Sequence, residues 1–151
     1  MALVSLPDDD RRARRWIYAA ILIIPVACEA PPPAPAPVAS RDTAALAQRW
    51  RPPEGLGQAV WASAAVGTPG LGPTDARLVV WFPDVPAPRR AALLGRPTQR
   101  PLPGDALART VLPEGSVARG AYETDAFETS QWRGTTVWAV EAGIYADLST
   151  R

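Results

Sequence analysis

The chain has 151 residues and a formal net charge of +1, with 16 basic side chains, 15 acidic ones, no histidine and one cysteine. The missing histidine excludes Ser-His-Asp and Cys-His catalysis and histidine-bearing zinc sites, and a lone cysteine excludes an intrachain disulfide or a thiolate metal cluster. All the basic residues are arginine, which together with abundant Ala, Pro and Gly matches a GC-rich coding bias and carries no functional weight.

At the N-terminus, Arg11, Arg12, Arg14 and Arg15 precede an apolar run, Trp16 to Ala27. Those 12 residues suit the apolar core of a secretory signal and fall short of the roughly 20 that a membrane-spanning helix needs. Val26-Ala27-Cys28 closes the run with a small residue and the only cysteine. This layout resembles the lipobox-type signal of bacterial lipoproteins. The resemblance covers residues 11–28 alone and implies a signal peptide over 1–27, removed after the Cys28 thiol has been lipidated. It also implies residence in the bacterial cell envelope, lipid-anchored on the periplasmic face. By the same resemblance, Glu29 after the cysteine implies onward transport to the outer membrane in a two-membrane bacterium. The paired Arg14-Arg15 lacks the flanking pattern of a twin-arginine signal, so the ordinary secretory route is expected.

Without residues 1–27, 12 basic and 12 acidic side chains remain. That neutral balance argues against a nucleic-acid partner, which demands a basic footprint. Residues 28–40 form the anchor cysteine and a proline-rich linker; "APPPAPAPVAS" predicts an extended polyproline spacer of about 30 Å. A ligand for a proline-binding groove is the alternative use of such a segment.

Residues 41–151 are read as one globular domain. "DTAALAQRW" (Asp42–Trp50) predicts a short helix capped by Asp42 or Ser40 and stopped by Pro52-Pro53. Gln58–Val66 has strand character and enters a Gly/Pro loop, and Arg77–Phe82, apolar on both faces, predicts a central strand paired with it. Pro86–Gly95 predicts a second helix, opened by proline and closed by glycine. "ARTVL" (Ala108–Leu112) and "SVARGAYE" (Ser116–Glu123), separated by Pro-Glu-Gly, predict a second hairpin. Thr135–Leu148 predicts the longest strand, with alternating apolar positions and a bend at Gly143. The fold class expected is α+β, an antiparallel sheet of about four to five strands with one or two short helices on one face. An all-β barrel is the alternative.

Few residues announce chemistry. Glu123, Asp125 and Glu128 crowd one acidic stretch, but glycine and a terminal bidentate acid are out of register for a calcium loop, so no metal is expected. Glu123, Glu128 and Glu141 supply the carboxylates for a glycosidase-type reading, in which only spatial separation counts. Ser63, Ser116 and Ser130 sit in no nucleophile-elbow context, and Gly67–Gly72 lacks the lysine of a phosphate loop. Arg89, Arg90, Arg96, Arg100 and Arg109 fall in one segment with only Asp105 opposing them, a candidate patch for an anionic partner. Trp61, Trp81 and Trp138 belong to strands and predict core; Trp132, beside Arg133 at a turn, is the indole expected to be exposed and free to stack on a sugar or partner.

The function expected is that of a membrane-tethered envelope lipoprotein whose domain binds or scaffolds rather than catalyses. No cofactor is implied, and the partner expected is an envelope protein or a cell-wall polymer. A carboxylate-dependent cell-wall hydrolase and a subunit of a larger envelope complex are the alternatives.

Overall fold

The computed structural model describes residues 36–66, 75–134 and 136–150. The signal-like segment, Cys28, most of the proline-rich linker and the 67–74 loop lie outside the described residues.

Helix α1 (Thr43–Arg49) begins where the Asp42 carboxylate accepts a hydrogen bond from the Ala45 amide at 3.0 Å, and its apolar side delivers Leu46 to the core. Strands β1 (Val60–Val66) and β2 (Asp75–Phe82) pair antiparallel from Val60↔Trp81 to Val66↔Asp75, which realises the expected hairpin. Helix α2 (Ala87–Leu93) follows, with proline in its first turn, and leads into the three-residue strand β3 (Arg96–Thr98). The remaining elements are helix α3 (Ala106–Val111) and strands β4 (Ala118–Glu123), β5 (Trp132–Arg133), β6 (Thr136–Val140) and β7 (Gly143–Thr150).

The seven strands form one antiparallel sheet in the order β1-β2-β7-β6-β4-β3, with β5 also pairing β7. The two end strands, β1 and β3, do not pair with each other, so the sheet is open and the barrel alternative is overturned. The strand number exceeds the expected four to five for two local reasons. The Thr135–Leu148 run is a hairpin rather than one strand: Val140 pairs with Gly143 across a two-residue turn, Glu141-Ala142. Glu141 takes a left-handed φ of 50° there, a conformation that two-residue hairpins require and non-glycine residues seldom adopt. The second reason is the pair of short strands β3 and β5, too brief to show a periodic pattern.

The segment expected as strand Ala108–Leu112 belongs to a helix instead. Asp105 accepts from the Ala108 amide at 3.0 Å and nucleates α3, whose Leu107, Ala108 and Val111 are buried together at helical spacing. Local capping and the i, i+3, i+4 pattern outweigh the strand preference of Thr110 and Val111.

Both faces of the sheet are covered. Even-numbered residues of β2 and β7 (Leu78, Val80, Phe82, Ile144, Ala146, Leu148) join Leu46, Trp50, Leu93, Phe127 and Trp132 in one apolar cluster. Odd-numbered residues (Val79, Tyr145) join Trp138, Val140 and the buried face of α3 in the other. The helices therefore divide between the two faces, α1 and α2 on one and α3 on the other, correcting the expectation of a single helical face. A Cβ at Gly143 would overlap the Phe82 carbonyl, so only glycine lets β7 leave the turn this close to β2.

Candidate functional site

Two recesses open on the α3 side of the sheet and share one side chain, Arg100. The larger, of about 790 Å³, lies between the loop that follows β3, the C-terminal end of α3 and the start of β4. Leu102, Leu112, Ala118 and Ala121 give it an apolar interior that continues into the core cluster behind it. Arg100, Arg109 and Arg119 line it as well, against a single acid, Glu114. Its walls are stiff for reasons written in the sequence. Pro101, Pro103 and Pro113 fix three backbone angles, and Ser116 closes the turn after α3 by donating its hydroxyl to the Pro113 carbonyl at 2.8 Å. The β4–β6 register shifts between Ala118 and Gly120, a bulge that sets Arg119 apart from the regular ladder. Val117, 73% exposed, adds an uncovered apolar side chain at the edge.

The smaller recess, of about 430 Å³, is polar and is lined by Arg100, Arg133, Glu128, Thr136, Asp147 and Ser149 among others. The Thr136 hydroxyl is buried there, without a hydrogen-bond partner among the described residues. Asp147 is already committed, since its carboxylate takes both arms of the Arg77 guanidinium, with Nε at 2.8 Å. The third Arg77 nitrogen, Nη1, meets Asp105 at 2.8 Å, so one arginine ties β2 to β7 and to the cap of α3. Charge-assisted bonds to the two acids hold the half-buried guanidinium firmly protonated. Partial burial alone would lift the Asp105 carboxyl; the Ala108 amide and Arg77 outweigh it and hold that carboxyl below its ordinary value. Burial pushes the neighbouring Tyr145 phenol well up, with the Asp147 charge adding to the effect and the Arg77 guanidinium opposing it, and its hydroxyl donates to no acceptor among the described residues.

The arginines singled out in the sequence do not form one patch. Arg100 and Arg109 meet in the larger recess, where Arg119, which segment-based reading missed, joins them across the sheet. Arg96 is an exposed rung that pairs with Glu123 across the β3–β4 ladder at 3.1 Å. The Arg89 guanidinium donates to the Glu54 carbonyl and packs against Gly55, a structural tie rather than a free charge. Arg90 is half-buried on α2. Trp132 is a correction: it is 6% exposed, because its ring joins the α1-side core and its indole N–H donates to the Arg49 carbonyl at 2.7 Å. Cys28 lies outside the described residues.

The carboxylates do not assemble as a glycosidase pair from Glu123 and Glu141. Glu123 stands opposite Thr136 at one end of β6 and Glu141 follows Val140 at the other. Their backbones are therefore separated by about 17 Å at ~3.4 Å per residue, beyond the 5–10 Å range of such pairs. Among the described residues, no group of three or more His, Cys, Asp or Glu side chains is placed to hold a metal ion. Comparison with known protein families, with curated proteins and with solved structures finds no match for this chain.

Proposed function

We propose that this chain is a membrane-tethered lipoprotein of the bacterial envelope whose domain binds an amphipathic ligand of negative charge in the recess beside α3. One observation carries the binding half of this reading: an apolar, proline-framed recess of about 790 Å³ that three arginines and only one acid line. An apolar interior rewards burial of hydrocarbon at ~25 cal/mol per Å², while guanidinium groups fix the position of a carboxylate, sulfonate or phosphate. No nucleophile and base are arranged at hydrogen-bond range among its lining residues, so the recess is suited to holding a ligand rather than transforming it. The tethering half rests on the basic block, short apolar run and Val26-Ala27-Cys28 of the sequence. Two or three acyl chains on Cys28 give stable anchorage and raise the domain's effective concentration at the membrane face.

Each half has its own test. Titration with anilinonaphthalene sulfonate, an aromatic anion, is expected to give saturable fluorescence enhancement. Replacing Arg100, Arg109 and Arg119 by Gln should weaken it about tenfold while sparing the neutral analogue phenylnaphthylamine. Equal loss of both probes, or of neither, rejects the arginine-lined recess as the site. For the anchor, metabolic lipid labelling and membrane fractionation of the wild type and Cys28→Ala decide. Labelling that persists in the variant, or is missing from both, rejects lipidation at Cys28.

A further inference from the structure

The two recesses on the α3 side differ in chemistry but share Arg100, so the lining changes in a fixed order along the surface. Leu102, Leu112, Ala118 and Ala121 give the larger its apolar interior, and Thr136, Ser149, Glu128 and Arg133 give the smaller its polar one. Arg100 stands at the junction, and its backbone there is held in place. The Trp138 indole N–H donates to the Arg100 carbonyl at 3.1 Å, and Pro101 fixes the next backbone angle.

The smaller recess holds polar groups that the fold itself does not use. Thr136 is the one polar residue of β6, whose Val137, Trp138, Ala139 and Val140 are buried and apolar. It is 4% exposed, and its hydroxyl has no hydrogen-bond partner among the described residues. A valine of the same shape would avoid the cost of that unpaired group, so a hydroxyl in this wall points to a partner that arrives from outside. Arg100, Arg133 and Glu128 enter no ion pair among the described residues, whereas Asp147 is neutralised by Arg77. Beyond Arg100 the recess is therefore balanced, the Arg133 guanidinium against the Glu128 carboxylate. Arg133 supplies donors, Glu128 an acceptor, and the hydroxyls of Thr136 and Ser149 can do both. A neutral group bearing hydroxyls matches that set. A cationic group would meet Arg133, and a second anion would meet Glu128.

We infer that the ligand of the larger recess is a phosphodiester lipid with a hydroxyl-bearing head group. Its hydrocarbon lies beside α3, its phosphodiester at Arg100 and its head in the smaller recess. A carboxylate or a phosphate monoester ends a molecule, whereas a phosphodiester carries its single charge between two substituents, which is the order the two recesses present. The guanidinium of Arg100 suits that charge, and a volume of about 430 Å³ lies within the range of small-molecule sites. This inference rests on the ligand recess proposed above and names the class of ligand that recess takes.

The test is native mass spectrometry of the full chain, released from detergent micelles that contain equal amounts of phosphatidylglycerol and phosphatidylmethanol with the same acyl chains. The two lipids carry the same charge and differ only in the head, glycerol against methyl. The wild type is expected to carry phosphatidylglycerol in about tenfold excess, as two added hydrogen bonds of ordinary strength would give. Arg133→Gln and Thr136→Val should each cut that excess about threefold, while total bound lipid and the urea midpoint hold. Equal binding of the two lipids by the wild type, or an excess that either variant retains in full, overturns this inference and leaves the larger recess standing. Absence of any lipid adduct overturns both.

Discussion

Tryptophan does a specific job at the scale of single residues. Four indole N–H groups donate to carbonyls of irregular segments or helix ends: Trp50 to Phe127, Trp61 to Asp42, Trp132 to Arg49 and Trp138 to Arg100. Each ring is buried in the core while its polar edge fastens a segment that has no ladder of its own. Helix α1 is held this way at both ends, by Trp61 before its first turn and by Trp132 at its last residue. Trp132→Phe is therefore expected to cost about 1–2 kcal/mol in urea unfolding by leaving the Arg49 carbonyl without its donor. Tyr145→Phe should behave oppositely. It deletes a buried hydroxyl that donates to no acceptor among the described residues, and stability should hold or rise by up to about 1 kcal/mol. Glu141→Gly relieves the left-handed φ of 50° and should gain roughly 0.5–1 kcal/mol in the same measurement.

Among the elements, α3 is the one that depends most on electrostatics. Asp105 caps it and accepts from Arg77, so Asp105→Ala should cost about 1–2 kcal/mol. Folding lowers the Asp105 pKa, so unfolding at acid pH takes up a proton. The contribution is complete above the ordinary carboxylate range and is lost as pH falls below it. Asp105→Asn, which keeps a capping oxygen, should flatten the acid limb of a plot of urea midpoint against pH. Which elements could be read in advance follows from the same physics. Strand β2 was legible because Leu78–Phe82 is uninterrupted and buried on both faces, and α1 because Asp42 and Pro52 bracket it. Helix α3 was not, since Thr110 and Val111 favour strands and its stabilising partner, Arg77, lies 28 positions upstream of Asp105. The β6–β7 turn hid because Glu141-Ala142 carries none of the Asn-Gly or Gly-Gly signal that marks such hairpins.

For the molecule as a whole, the recess beside α3 shows why a linear reading finds only part of a site. Arg100 and Arg109 were visible as a local excess of charge, but Arg119 reaches them only because β4 lies next to β3 in the sheet. The exposure expected for Trp132 failed for the same reason, since the carbonyl and rings that bury it come from α1 and from Phe127. The order β1-β2-β7-β6-β4-β3 also sets when the protein can exist. Strand β7 is the last of the described strands yet central in the sheet, between β2 on one side and β5 and β6 on the other. Until Gly143–Thr150 has been synthesised, β2 has no inner neighbour and neither apolar cluster can close. A nascent chain stalled before β7 is expected to stay an open, threadable polymer, its compaction postponed until that strand emerges.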